Sequence, residues 1–217
     1  MPLRDAQIER YSRQIVVPGF GGKAQDRLLR SELVVIGSYD YLAMTLRYFA
    51  GAGVGRISVA TQYEAARERE LLARIGALNP DVRIDVAPGA AAALVLALID
   101  DNQSRDALAA RKSAGAFVVA RLDAPAMIAI IPARPPCPTC CDANLQKPVG
   151  HIVDESNFIA MLAATEALKI VAGVGGAQAA HVIEFGGYES RSRVLGVSKP
   201  GHCAAPPAAR RNRIRGR

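Results

Sequence analysis

Tryptophan is absent from this 217-residue chain, histidine occurs three times, cysteine four times, and the last eight residues contain no acid. No apolar run approaches the roughly 20 residues that a membrane-spanning helix needs, which excludes a helical membrane protein. Residues 1–13 are charged and lack the apolar stretch of a signal peptide, so a cytoplasmic location is expected. Four cysteines in a reducing compartment point to metal binding or chemistry rather than to a disulfide framework. Without tryptophan the core must come from Ala, Val, Ile and Leu, and half of the chain is hydrophobic, which is enough to build one. The length suits one domain with an appendage.

The net charge of +7 is unevenly spread, because residues 210–217 hold five arginines. Without them the chain is only about +2, so the basic balance says little about the fold. Residues 204–217, with their Pro-Pro and Ala-Ala opening, read as a disordered basic tail. Such a tail is either a solubilising terminus or a contact for nucleic acid or acidic lipid. A nucleic-acid role rests on the tail alone and is disfavoured.

Residues 5–14 read as a short helix, and residues 23–31 as a second. Residues 33–36 form a continuous apolar run ending at Gly37, the pattern of a strand buried on both faces. A helix over residues 41–52 follows, closed by a glycine-rich turn, and residues 56–60 form a second strand. This is one βαβ unit of about 28 residues, the size and order of a Rossmann half. Residues 64–78 are helical and stop at Asn79-Pro80, and residues 82–86 alternate as a strand. Residues 90–99 fit helix or strand equally. Residues 106–114 read as a helix, and residues 117–120 and 126–131 as strands. Residues 158–172 form a long helix with Ser156 or Asn157 as N-cap and Gly173 after its end. Residues 181–185 and 192–197 read as two late antiparallel strands. The expected class is α/β, a Rossmann-like, mainly parallel sheet flanked by helices, with late antiparallel strands.

Five short segments then carry a resemblance. Arg10-Tyr11-Ser12-Arg13-Gln14-Ile15, Ala50-Gly51-Ala52-Gly53-Val54-Gly55, Leu78-Asn79-Pro80-Asp81-Val82, the pair Cys137 and Cys140, and Ala164-Thr165-Glu166-Ala167-Leu168-Lys169 with Gly173 occur in one order. Together they resemble the E1-like ThiF/MoeB/HesA family of adenylate-forming enzymes, over about residues 9–203. The resemblance implies a ThiF/MoeB-type domain over residues 1–203, followed by the tail at 204–217. It implies ATP and Mg²⁺ as ligands, adenylation of the C-terminus of a ubiquitin-like sulfur carrier or modifier, and a homo- or heterodimer with an E1-like subunit.

The nucleotide elements depart from the family pattern. Where the family loop reads G-x-G-G-L-G, this chain has Gly37-Ser38-Tyr39-Asp40-Tyr41-Leu42. Only Gly37 is kept as a phosphate-loop residue, and Asp40 brings negative charge towards the phosphates. The plain alternative is a strand-to-helix turn with Ser38 or Asp40 as N-cap. The ribose-binding acid after strand two is missing. Arg67 stands where the family has an ATP-contacting Lys, and it also fits a solvated charge run. Asp100-Asp101-Asn102 with Arg105 resembles the family's Mg²⁺-holding D-N-x-x-x-R, so Asp100 and Arg105 are the catalytic candidates. Asp101 is the alternative ligand, and helix capping is the alternative role. Arg13 matches a family Arg that reaches the partner subunit's nucleotide; a surface salt bridge is the other reading.

Cys137 and Cys140 match the first half of the family's zinc site, and His202 with Cys203 stands where the second half falls. Zn²⁺ needs four thiolate or imidazole ligands, and adjacent His202 and Cys203 fit one ion awkwardly, which leaves Cys141 as an alternative and a lost site as the plain reading. Two functions follow from these departures. One is a degenerate E1-like protein that binds an E1-like enzyme or a ubiquitin-like sulfur carrier. The other is an active adenylyltransferase with a remodelled pocket. A third reading places an aromatic ligand on Tyr39 and Tyr41.

Overall fold

The computed structural model describes residues 3–60, 65–86, 92–110, 115–131, 149–175, 179–186 and 191–197. Among them eight strands form one sheet in the order β3-β2-β1-β4-β5-β6-β7-β8. The strands are β1 (Glu32–Ile36), β2 (Arg56–Ala60), β3 (Arg83–Val86), β4 (Leu94–Ile99), β5 (Ala116–Arg121), β6 (Ala126–Ile131), β7 (His181–Gly186) and β8 (Arg191–Gly196). Pairings from β3 across to β5 are parallel, and those from β5 to β8 are antiparallel. The helices are α1 (Asp5–Arg10), α2 (Ser12–Ile15), α3 (Gly21–Leu29), α4 (Tyr39–Ala52), α5 (Ala65–Gly76), α6 (Asn102–Ala109) and α7 (Ser156–Ala172). Among the described residues no helix is long and apolar enough to cross a membrane.

The apolar runs are continuous because both faces of the sheet are covered. Along β1, Leu33 and Val35 point into one core and Val34 and Ile36 into the other. Every residue of β4, β5 and β6 is buried. α7 lies across β4 to β6 and packs on α3 and α4. Its buried stripe of Ala160, Ala163, Ala164 and Ala167 lets it sit close to the sheet. Gly173 ends it in a left-handed cap at φ 68°, and the Arg27 guanidinium donates to the Ala172 carbonyl at 3.0 Å.

Several boundaries differ from the expectations. Of the 90–99 segment, Leu94–Ile99 is a strand, filling the slot between β1 and β5, and residues 90 and 91 lie outside the described residues. The N-terminal helix breaks in two at Tyr11, whose ring turns into the core. α6 starts at Asn102 rather than 106, because Asp101 caps it by accepting from the Ser104 N–H at 2.6 Å. α7 starts at Ser156 with Glu155 at the cap, and the Ser156 hydroxyl instead shares a 2.8 Å hydrogen bond with the Tyr41 hydroxyl. The tail at 204–217 lies outside the described residues.

Most of the segments that carry the resemblance meet at the edge where the parallel strands begin. The Asn79 amide donates to the Tyr11 hydroxyl at 2.9 Å and to the Ala50 carbonyl at 2.7 Å, and the Tyr11 hydroxyl donates to Asp81 at 3.2 Å. Asp81 also accepts from Arg4 at 2.7 Å and Gln7 at 3.0 Å. Gly53 sits at φ +84°, and a Cβ there would lie 2.7 Å from the Tyr11 ring. At Gly55 a Cβ would stand 1.9 Å from the Leu29 carbonyl oxygen, so only glycine lets β2 start beside α3. Burial raises the Tyr11 pKa; the Asn79 bond opposes that and the Asp81 charge adds to it.

Candidate functional site

The chain runs outward from β1 in both directions, to β2 and β3 on one side and to β4 and β5 on the other. The crevice at the carboxyl ends of β1 and β4 is therefore the switch point at which open α/β sheets bind ligands. Gly37 ends β1 there, and Asp100 ends β4 beside it. A Cβ on Gly37 would lie 3.0 Å from the Leu98 Cβ and 3.3 Å from its carbonyl oxygen. The close approach of the two strands accounts for this glycine without any ligand.

Only Gly37 and Ser38 separate β1 from α4. Ser38 is extended, and its carbonyl accepts from the Leu42 N–H at 2.9 Å, so the helix begins at Tyr39, two residues before the expected start. Ser38 is the N-cap residue, but its hydroxyl does not cap. Its hydroxyl acts on Asp100 instead, lowering that carboxyl's pKa against the rise that burial causes. The first turn holds the exposed Asp40, whose charge complements the positive helix end. The Arg67 guanidinium stacks over the Tyr39 ring at 4.1 Å from its centroid. Tyr41 is held by Ser156 of α7. The two tyrosines that would serve an aromatic ligand therefore each have a protein partner.

Asp100 has one buried carboxylate oxygen with no hydrogen-bond partner. Burial raises its pKa; the bonds from Ser38 and Ser104 offset this in part, and the neighbouring Asp101 charge adds to it. Asp101 is occupied as the α6 cap. Arg105 lies on the first turn of α6 with its side chain 24% exposed, paired with Asp106 at 3.2 Å. Gly37, Arg67, Asp100 and Arg105 thus all come from elements that open on the crevice. Arg13 does not. It is exposed on α2, whose neighbour Gln14 bonds the Gly51 carbonyl at the far end of α4. The 14 residues of α4 span about 21 Å, so Arg13 is remote from its own crevice. Cys137, Cys140, His202 and Cys203, with Cys141, lie outside the described residues. Among the described residues no cluster of His, Cys, Asp or Glu suits a metal ion.

Sequence reasoning missed a buried ion pair at the carboxyl end of β5. Arg121 bonds Asp123 through Nε at 2.8 Å and through a second, closer guanidinium contact, with both side chains at 6% exposure or less. The Gly150 N–H donates to Asp123 at 2.7 Å, and Ile152 bridges to Asp123. Burial alone would raise the Asp123 pKa, but hydrogen bonds from Arg121 and Gly150 and the Arg121 charge outweigh it and lower it. The signal was available: an Arg and an Asp two residues apart, directly after an all-apolar strand, share one side. Asn102 accepts from the Val149 N–H at 3.2 Å, so segment 149–153 is tied to both α6 and β5.

The sheet order, the switch-point crevice and the late antiparallel strands define an E1-like, ThiF/MoeB-type Rossmann fold. Similarity to known proteins agrees. The chain is 25% identical over 249 aligned residues to a sulfur carrier protein adenylyltransferase of Thermus thermophilus, covering 91% of this chain and 90% of the relative. It is 29% identical over 209 residues to the vegetative HesA protein of Trichormus variabilis, covering 79% and 78%. The E. coli MccB structure with ATP superposes with a TM-score of 0.66 at 14% identity, over 90% of this chain and 73% of that one, which is a likeness of fold. No protein-family profile matches the chain. Sequence and fold thus converge on the E1-like ThiF/MoeB/HesA type that the five segments resembled.

Proposed function

We propose that this chain acts by binding, as a non-catalytic member of the E1-like type that pairs with an E1-like subunit or a ubiquitin-like sulfur carrier. The observation behind this reading is the start of α4. A triphosphate needs free N–H groups at a helix N-terminus and a loop that lets backbone approach closely. Here only Gly37 and Ser38 precede the helix, and Asp40 occupies its positive end. Asp40 is exposed and screened, yet even about 1 kcal/mol of repulsion per phosphate charge in water cancels the ~0.3–1 kcal/mol that a helix end contributes. Arg67, the cation nearest in sequence to the family's lysine, is committed to Tyr39. The exposed Arg13 fits a role in a dimer, reaching a partner's crevice rather than its own. The test is calorimetric titration with MgATP, combined with ATP–pyrophosphate exchange on the purified protein. Absence of both supports the reading, and exchange that depends on a carrier protein refutes it.

A second reading, an active adenylyltransferase, is favoured by the unpartnered buried oxygen of Asp100. Asp100 and Arg105 would then hold Mg²⁺ and nucleotide phosphate, the cation supplying charge neutralisation when bound. In that case Asp100→Ala abolishes exchange while the fold persists. Zn²⁺ stands as a proposed ligand of Cys137, Cys140, His202 and Cys203, checked by metal analysis of the purified chain before and after a strong chelator.

A further inference from the structure

We infer that the edge of the sheet opposite the crevice carries an anion site that takes a phosphate group. A cavity of about 500 Å³ opens there, lined among others by Arg4, Arg30, Arg56 and Arg83 and by only two acids, Glu32 and Asp81. The four arginines come from four separate segments: the residue before α1, the end of α3, the first residue of β2 and the first residue of β3. The nearby acids are already engaged. Asp81 takes Arg4 and Arg10, Asp85 takes Arg56 at 2.9 Å, and Asp26 takes Arg30 at 2.9 Å. Glu32 stands 4.0 Å from Arg56. The exposed Arg83 side chain has no ion-pair partner among the described residues.

The register sharpens this. Arg56 and Arg83 are direct Cα partners on the parallel strands β2 and β3. Arg56 is balanced by Asp85 and Glu32, which leaves Arg83 as the guanidinium without an ion-pair partner among the described residues, and a bound anion beside it supplies that counter-charge. Guanidinium forks match carboxylate and phosphate oxygens, and a tetrahedral phosphate offers oxygens to several forks at once. The cavity has room for more than one phosphate, so the ligand class is a small phosphorylated molecule or free phosphate. The site is independent of which reading of the crevice holds.

The experiment is thermal unfolding of the full chain in inorganic phosphate, pyrophosphate, acetate and chloride at matched ionic strength, with Arg83→Gln and, outside the cavity, Arg74→Gln. Phosphate at ten times its dissociation constant should raise Tm on the order of 4 °C above chloride in the parent chain and in Arg74→Gln. Arg83→Gln should lose that difference while unfolding cooperatively. A larger shift with pyrophosphate at equal concentration points to a phosphorylated small molecule, and an equal or smaller one to free phosphate. Equal shifts with acetate and phosphate, no shift at all, or an unchanged shift in Arg83→Gln overturn the inference.

Discussion

The two edges of the parallel sheet treat the sequence differently. At the edge where the strands begin, Tyr11, Ala50, Gly53, Asn79 and Asp81 lock together through hydrogen bonds and a contact that only glycine permits. These residues lie in three of the five segments that carry the family resemblance. At the opposite edge, where such folds bind nucleotides, only Gly37 and Ser38 separate β1 from α4, and the residues there engage one another: Tyr39 with Arg67 and Tyr41 with Ser156. The residues at the strand starts assemble the sheet, whereas those at the carboxyl ends line the crevice, and the length of the strands separates the two sets. Similarity to a sulfur carrier protein adenylyltransferase extends over nine-tenths of the chain, and a shared scaffold does not by itself fix the chemistry.

Substitutions at each edge sharpen this contrast. The largest effect is expected at Asp123→Asn, which takes the negative charge out of a buried ion pair with Arg121 and should cost about 3–5 kcal/mol in denaturant unfolding. The same pair sets an acid limit. Because the folded pKa of Asp123 is lowered, its contribution is complete above the unfolded carboxylate value of about 3.9 and is lost as pH falls through the folded one. Parent and variant should therefore converge in stability only in strong acid. Gly55→Ala comes next, with a loss of about 3 kcal/mol, since its Cβ would press on the Leu29 backbone. Tyr11→Phe removes one hydroxyl from the Asn79–Asp81 network and should cost about 1–2 kcal/mol.

The smallest effect has the opposite sign. Asp100→Ala should stabilise the protein by about 1 kcal/mol near neutral pH, because it removes a buried carboxylate oxygen that has no partner. The folded pKa of Asp100 is raised, so its ionised form is what the fold disfavours. The gain should therefore grow as pH rises from the unfolded carboxylate value of about 3.9 towards the folded one, stay constant above it, and vanish in acid. A destabilising Asp100→Ala, measured by urea unfolding at pH 7.5 and at pH 4, would place the two edges on an equal footing and count against the contrast.

Much of the scaffold was legible because short apolar runs, glycine caps and the Asn79-Pro80 stop act locally. β1, α4 and β2 follow in the expected order, and the Gly173 cap falls where the periodicity puts it. The true start of α4 was hidden, since Tyr-Asp-Tyr carries no strong helix signal and the choice was made by the bond between the Ser38 carbonyl and the Leu42 N–H. The site was less legible, because its pairs join distant segments. Arg67 finds Tyr39 across 28 positions, and Tyr41 finds Ser156 across 115, distances over which no periodicity operates. Arg121 and Asp123 were close enough to be read, but a strand ended at residue 120 left them out.

The central claim is that the N-terminus of α4 serves the protein's own side chains and not a nucleotide. Calorimetric titration of the full chain with MgATP tests it most directly. The account predicts no saturable heat up to roughly millimolar nucleotide. Binding with a dissociation constant in the micromolar range, abolished by Asp100→Ala, would contradict it.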